Sequence, residues 1–433
     1  MESSYSIMMD RRTLRLMGVR FRGIGKMRAD FDLDAFIRRC VTRRERSLLA
    51  DDLAGYDAEL RARIDGARVL VIGGGGSIGS NYIKALLHFN VAKLVVADIS
   101  ENGLTELARD LRSAGKYRIP EDFITYPVNF ASRVFKKLFR AHGPFDIVAN
   151  FAAHKHVRSE KDVFSIEAMI ENNVFRAREL LELLCEAPPR HFFCVSTDKA
   201  ANPVNIMGAS KKLMEELLLA YAGRLPVKTA RFANVAFSDG SLPFGFLQRL
   251  DKRQPWACPL GIRRFFVSPG ESGELCLLAS VVGENGDIVF PKLDPARDMI
   301  SFEQLASDLL REMDMEPDPC KTEDEAREKM KNGNSRIMKK WPVYFFESDT
   351  SGEKAFEEFY TPEETPDFGT FSNLGVVKNA KRSPLAEIDA IFEELRRLFA
   401  SDDVNKEKIV TALSGYLPNF SHIEKGRGLD SKM

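Results

Sequence analysis

The sequence has no long apolar run, no excess of either charge and no paired cysteine motif, and each absence removes a class of function. No stretch approaches the roughly 18 consecutive apolar residues of a membrane span. The N-terminus lacks the apolar core and small-residue cleavage site of a secretory leader, so a soluble, cytoplasmic protein is expected. The 63 Lys and Arg residues equal the 63 Asp and Glu residues, which argues against an overall surface for nucleic acid or anionic membrane. A local basic run near the start (Arg11, Arg12, Arg15, Arg20, Arg22, Lys26, Arg28) reads as a disordered or packing arm rather than a binding element. The six cysteines include no CxxC pair, and reduced, structural thiols are expected. Internal repeats and low-complexity tracts are also missing.

What is present is length and alternation. At 433 residues the chain exceeds one ordinary core, so two lobes or one large α/β domain with additions are expected. Residues 31 to 66 place Phe31, Leu33, Phe36, Ile37, Leu48, Leu49 and Leu53 between charges, a pattern of amphipathic helices. From Arg68 to Arg231, β-branched and aromatic runs alternate with helical patterns, notably Ile166 to Leu184 and Ala209 to Ala222. The expected fold is α/β, a doubly wound parallel (Rossmann) sheet with ligands at the C-terminal strand ends. The divisions predicted are a basic arm and helical extension (1–66), a dinucleotide-binding domain (67–235), a smaller substrate lobe (236–400) and a helical tail (401–433). Met315 to Asn334 is polar and charged and reads as a surface insertion near 315–340, with Trp341 to Phe346 a buried strand.

The most informative stretch is Val71-Ile-Gly-Gly-Gly-Gly-Ser-Ile-Gly-Ser80. A β-branched run enters glycines and then a helical pattern, so Gly73, Gly76 and Gly79 let the backbone turn tightly and approach a pyrophosphate. Gly75, Ser77 and Ile78 complete the turn, with helix N–H groups aimed at the anion. A second strand, Lys93 to Ala97, ends in Asp98, which is 98 − 79 = 19 residues beyond the last glycine. A carboxylate there holds the adenosine ribose hydroxyls. No Arg or Lys occupies Ile99-Ser-Glu-Asn102, which predicts NAD over NADP.

The fifth strand runs into Ser196-Thr-Asp-Lys199, placing a hydroxyl, a carboxylate and an amine consecutively at a strand end. A capping turn would account for Ser196 or Thr197, but it gives Lys199 no task. The fourth strand ends in Asn150-Phe-Ala-Ala-His-Lys-His-Val157. His154 and His156 have HxH spacing, yet no third ligand stands at a recognised spacing, and no metal is expected. Contact of His154, Lys155 and His156 with substrate or nicotinamide, or simply a solvated loop, remain the readings of this segment.

These motifs, with Asn202-Pro, Met207-Gly-Ala-Ser-Lys211 and Arg231-Phe-Ala-Asn-Val235, resemble the extended short-chain dehydrogenase/reductases of polysaccharide biosynthesis. The resemblance is to nucleotide-sugar 4,6-dehydratases acting on UDP-N-acetylglucosamine, in the soluble branch linked to legionaminic-type acids. Ser238 to Ser241, Arg264 to Ser268 and Gly352 to Phe359 share it, and it runs from about Phe31 to Leu429-Asp-Ser-Lys-Met433. Residues 1–28 have no counterpart.

The resemblance implies an internal redox dehydration. Hydride leaves sugar C4 for the nicotinamide, water is lost across C5 and C6, and hydride returns to C6. An ammonium, ordinarily of pKa about 10.4, serves as a base only where desolvation or nearby positive charge loosens its proton. On that ground Lys199 is the C5 base, Asp198 the acid for the departing C6 hydroxyl, Thr197 the partner of the C4 oxygen and Lys211 the holder of the nicotinamide ribose. The sequence departs from the family pattern in three places. Met207 stands where a tyrosine is usual and cannot titrate; Ile72 replaces a threonine; and Asn129 replaces an aspartate near the adenine, where Ala152 is also expected.

Arg231, Arg263 and Arg264 are candidates for the substrate diphosphate, since guanidinium forks suit it, although surface charge on a lobe edge also accounts for Arg263 and Arg264; Asn234 is a further candidate for substrate binding. Asn173 and Asn205 are candidate neighbours of the site that also fit simple turns. The reading is an NAD-dependent dehydratase with a nucleotide-sugar substrate, no nucleic-acid partner and a homo-oligomeric state. The rivals are a C4 epimerase or C5-epimerising dehydratase, and a silent dinucleotide-binding regulator.

Overall fold

A computed structural model describes residues 31–156, 160–332, 339–347 and 357–424. The basic arm, Val157, Gly352 to Phe356 and the terminal Leu429 to Met433 lie outside the described residues.

The β-branched and aromatic runs form β1 (Arg68–Ile72), β2 (Lys93–Asp98), β3 (Asp122–Pro127), β4 (Ile147–Asn150), β5 (His191–Val195) and β6 (Val227–Ala230). With β10 (Ile288–Pro291), β14 (Pro366–Asp367) and β15 (Leu374–Val377) they make a nine-stranded sheet in the order β14-β15-β10-β6-β5-β4-β1-β2-β3. Every pair from β3 to β10 is parallel, and β15 pairs antiparallel with both β10 and β14, so β15 alone runs against the other strands. The strand order reverses between β1 and β4, which opens a crevice at their C-terminal ends.

Alternation along each strand feeds two cores. Val69, Val71, Leu94 and Val96 face the helices Ser77–Leu86, Glu101–Ala114 and Pro269–Val281. Leu70, Ile72, Val95 and Val148 face Arg133–His142, Ile206–Ala220 and Leu385–Phe399. Burial on both faces explains why these strands read as continuous apolar runs rather than alternating ones. The helix expected from Ile166 to Leu184 is Val163–Ile170 and Arg176–Glu186 joined by a π turn, Glu171–Phe175.

A third core joins Phe246, Trp256, Phe266, Leu305, Leu309 and Trp341 in the smaller lobe. Its strands are β7 (Asn234–Val235), β8 (Trp256–Leu260), β9 (Arg263–Val267), β11 (Met299–Ser301), β12 (Glu316–Cys320) and β13 (Lys340–Glu347), in two three-stranded sheets. The N-terminal extension divides between lobes: Phe36, Ile37 and Val41 join this core, whereas Leu49, Leu60 and Ile64 join the large sheet.

Two sequence expectations are corrected. The substrate lobe is not the contiguous block 236–400, because Pro269–Val281 packs on Ser77–Leu86 so closely that a Cβ on Gly273 would meet the Asn81 carbonyl at 2.2 Å. β10, β14 and β15 likewise return to the large sheet. The described part of this segment, 315–332, is not a mere insertion: β12 pairs parallel with β13 and is followed by the Glu323–Lys331 helix. Charge and Pro317 and Pro319 disguised β12, and an edge strand tolerates both. Of the buried strand expected at 341–346, Trp341 to Val343 are buried and Tyr344 to Phe346 half-buried.

Candidate active site

The glycine turn lies at the end of β1 and is built for close approach. Gly73 has φ +77°, and a Cβ there would meet the Ala152 nitrogen at 2.6 Å. A Cβ on Gly79 would meet the Gly73 carbonyl oxygen at 2.3 Å, whereas one on Gly76 would meet nothing nearer than 3.6 Å. Gly73 and Gly79 are therefore demanded by the fold itself, while Gly76 leaves clear space at the start of the Ser77–Leu86 helix. Gly75 N–H donates to Asp98 Oδ2 at 2.9 Å, and Ser100 N–H donates to Oδ1 at 2.8 Å. These bonds fix the carboxylate at the cavity wall and leave each oxygen a further lone pair for a ribose hydroxyl.

A cavity of about 540 Å³ extends over this turn. Gly73, Gly76, Ser77, Ile78 and Gly79 line it from β1, Asp98 from β2, Asn129 from β3, and Ala152, His154 and Lys155 from β4. The Asn129 oxygen accepts from Ala131 N–H at 2.9 Å, so this residue also holds its own turn. Ser77 and Lys155 both reach the turn of the smaller lobe: Ser77 Oγ donates to Asp239 Oδ2 at 2.9 Å and Lys155 Nζ to the Asp239 carbonyl at 3.0 Å. Burial pulls the Lys155 pKa below its ordinary value against the opposing effect of Asp239. Burial, then Arg176, lowers that of His154. His156 packs against the same turn, where a Cβ on Gly240 would meet its ring at 2.6 Å.

One strand further along, at the end of β5, the Thr197, Asp198 and Lys199 side chains converge. Thr197 Oγ1 donates to Asp198 Oδ1 at 2.8 Å, and Lys199 Nζ donates to Oδ1 and Oδ2 at 3.1 and 3.3 Å. Asp198 is buried, and Lys199 keeps 30% of its side chain exposed. An amine touching a carboxylate at a strand end can take one proton and give another. Met207 is buried in the core beneath, and Lys211 donates from Nζ to the Val195 carbonyl at 2.7 Å. Complete burial lowers the Lys211 pKa, against Cys194 and Glu215. Lys211 is not among the residues that line the cavity.

Several residues expected at the substrate serve the protein instead. Arg231 has no exposed surface; its guanidinium forks onto Glu215 at 2.9 and 2.7 Å and onto Glu364 at 2.7 and 2.9 Å. Burial opposes its charge, but Glu215 and Glu364 outweigh burial and raise its pKa. No donor is left over for a diphosphate. Asn205 caps the Ile206–Ala220 helix by accepting from Gly208 N–H at 2.7 Å. Asn173 clamps the His154 backbone at 2.8 and 2.9 Å and reaches Ser210 at 3.1 Å. Both are buried, and both correct the expected substrate contact in favour of a structural role.

Asn234 and Arg264 turn toward a residue that the sequence did not single out, Glu357. Asn234 Nδ2 donates to Glu357 Oε1, Arg264 Nε lies 4.0 Å from the same oxygen, and Phe265 N–H donates to Oε2 at 2.7 Å. Burial and then the Asp198 charge push the Glu357 carboxyl up to about 7, against Lys199, the Phe265 N–H and Arg264. The available signal was its place in the Gly352 to Phe359 stretch, which resembles the family. Among the described residues no helix is long and apolar enough to cross a membrane.

Known proteins share the family and the fold of this chain. The family model for polysaccharide biosynthesis proteins matches residues 69–370. An uncharacterized membrane protein of Methanocaldococcus jannaschii is 31% identical over 320 residues, 71% of this chain and 85% of that protein. A UDP-N-acetylglucosamine 4,6-dehydratase (inverting) of Campylobacter jejuni is 27% identical over 53% of this chain and 68% of its own. UDP-glucose 4-epimerases of Rickettsia lie at a comparable 29%. Two other bacterial polysaccharide proteins are longer, and the match spans only 42% and 44% of them. Among solved structures, Pen from Bacillus thuringiensis superposes with a TM-score of 0.59 at 18% identity, covering 77% of this chain and 98% of that one. That likeness bears on the fold alone.

Proposed function

The chain belongs to the polysaccharide biosynthesis protein family, and from that premise we propose that it is an NAD-dependent 4,6-dehydratase of UDP-N-acetylglucosamine. Its product would be a 4-keto-6-deoxy sugar nucleotide for a surface glycan. One observation carries the reading: Lys199 and Asp198, a base and an acid, touch at 3.1 Å at the C-terminal end of β5. A pure C4 epimerase needs neither group at C5 and C6.

The residues present fit NAD, since the glycine turn leaves its open space at Gly76 and Asp98 is fixed at the cavity wall. When bound, the nicotinamide supplies reversible two-electron oxidation of the sugar. The remaining work falls to this chain. The Met207 thioether neither accepts nor gives a proton. The C4 hydroxyl proton therefore passes to Thr197, whose own hydroxyl donates to Asp198 at 2.8 Å. Once C4 is a ketone the C5 proton is acidic; Lys199 removes it while Asp198 protonates the departing C6 oxygen.

The test is incubation of the purified protein with NAD and UDP-N-acetylglucosamine, followed by mass spectrometry. A product lighter by about 18 Da, the mass of one water, is expected from this acid–base step. An isobaric product would identify an epimerase, and unchanged substrate a silent binding protein.

A further inference from the structure

The helix that follows the glycine turn, Ser77–Leu86, starts on Gly76 with no side chain capping it and no acidic residue in its first turn. Elsewhere Ser100, Ser132 and Asn205 each cap the helix they precede. An uncapped first turn offers backbone N–H groups and the positive end of the helix dipole to an anion. An anion does stand beside it, and it comes from the smaller lobe: Asp239, 162 residues away in sequence. Ser77 Oγ donates to Asp239 Oδ2 at 2.9 Å and accepts from Asp239 N–H at 2.9 Å.

The turn that carries Asp239 is held by its contacts rather than by its own backbone preference. Phe237 has φ +54° and Gly240 φ +73°, and the left-handed region is unfavourable for a phenylalanine. Lys155 Nζ donates to the Asp239 carbonyl at 3.0 Å, and a Cβ on Gly240 would meet the His156 ring at 2.6 Å. One turn of the smaller lobe is thus clasped to two walls of the cavity, the helix start at Ser77 and the loop after β4 at Lys155.

We propose that Asp239 is an autoinhibitory anion of the cofactor site: it competes with the pyrophosphate for Ser77, so that a dinucleotide binds only as the Asp239 turn is displaced. The proposal rests on the NAD reading of the glycine turn and not on the dehydratase reading. A hydroxyl has one proton to give, and that of Ser77 is committed to Asp239. A phosphate oxygen accepts and does not donate, so it takes the Ser77 proton only when Asp239 gives it up. Charge acts in the same direction. A carboxylate bonded to the first residue of this helix repels a pyrophosphate that approaches the same helix end. Displacement also frees the Lys155 ammonium from the Asp239 carbonyl, so a cation becomes available at the cavity as the anion leaves. Cofactor entry is in this way tied to the position of a turn in the smaller lobe.

The experiment titrates NAD and adenosine into the full chain and into D239N by calorimetry, at low and high salt, and follows amide hydrogen exchange at residues 237–241. Asparagine keeps the shape and an oxygen that accepts from Ser77, and it removes the charge. D239N should bind NAD about tenfold more tightly than wild type at low ionic strength, with a smaller gain at high salt. Adenosine, which has no phosphate, should bind both proteins alike. Saturating NAD should speed exchange at 237–241 in wild type while it slows exchange in the glycine turn. A D239N protein that binds NAD no more tightly than wild type, an equal gain for adenosine, or exchange at 237–241 that does not quicken with NAD overturns the proposal and leaves the cofactor reading standing. If wild type binds no dinucleotide, binding by D239N alone supports the proposal; binding by neither overturns the cofactor reading and the proposal with it.

Discussion

The glycine turn and the Thr197-Asp198-Lys199 strand end lie only two strands apart, yet they are built in opposite ways. The turn is local: β1, the four residues Gly73 to Gly76 and the start of a helix make it, and its glycines are explained by atoms within the same stretch or one strand away. The β5 end is remote in its partners. Lys199 and Asp198 are neighbours in sequence, but the Glu215–Arg231–Glu364 cluster at the end of β6, and Glu358, which accepts from Asn202 just after them, come from a span of about 150 residues. A local cradle can be read from spacing because the backbone enforces it. A remote cluster is defined by contacts that no spacing records.

The sharpest break of this comparison is at Lys199. If the strand end carries the acid–base chemistry and the turn only holds the cofactor, Lys199→Met should stop dehydration while oxidation at C4 continues. General base removal typically costs about 10²–10⁴-fold. Reduced cofactor should accumulate, seen by its absorbance, without a 6-deoxy product. Dehydration at the wild-type rate would remove Lys199 from the site.

Arg231 gives the next largest effect, in stability. Its replacement by Met leaves Glu215 and Glu364 as buried carboxylates without their cation, a defect that costs about 3–5 kcal/mol. It also releases the Phe359 carbonyl. Denaturant unfolding should show a clear drop in midpoint. A variant of unchanged stability but poor affinity for UDP-sugar would restore Arg231 to the diphosphate.

How much of this was legible follows the same division. The sheet from β1 to β6, the turn and Asp98 could be read because apolar runs, glycines and a carboxylate at a strand end each obey a local rule. The Thr197-Asp198-Lys199 trio was visible for the same reason. β10 and β15 were missed, since each is only four residues long and follows a departure into the other lobe. Arg231 was misassigned because an arginine at a strand end suits an anion equally well from solvent or from Glu215, and only burial decides. Asn173 and Asn205 show the same ambiguity for amides. Glu357 lies 159 residues after Asp198, as 357 − 198 shows, and the resemblance of the Gly352 to Phe359 stretch to the family was the one signal that marked it.

Met207 tests whether the remote region has adapted to its own composition. The side chain is 2% exposed and packed in the core under the β5 end. A tyrosine there adds bulk and a hydroxyl to a close-packed site, which typically costs about 1–3 kcal/mol. Met207→Tyr should therefore be less stable and no faster than wild type, by unfolding and by steady-state rate. A large gain in rate from a nearly inactive parent would mark wild type as crippled and favour a silent binding protein.

The smallest effect should come from the local region, at Asp98. Its oxygens hold Gly75 N–H and Ser100 N–H, so the carboxylate serves the turn, and in the proposed reading it also holds the NAD ribose. A 2′-phosphate would meet this negative charge directly, and no Arg or Lys follows in the next four residues to offset it. Wild type should bind NAD more tightly than NADP. Asp98→Ala removes the repulsion and two hydrogen bonds of the turn together, each worth about 1 kcal/mol. NAD affinity should therefore fall while NADP affinity falls less, narrowing the preference by about tenfold in a calorimetric titration of both cofactors. Equal or tighter binding of NADP by wild type would break the reading of the glycine turn, and with it the claim that a local motif is the more dependable half of this site.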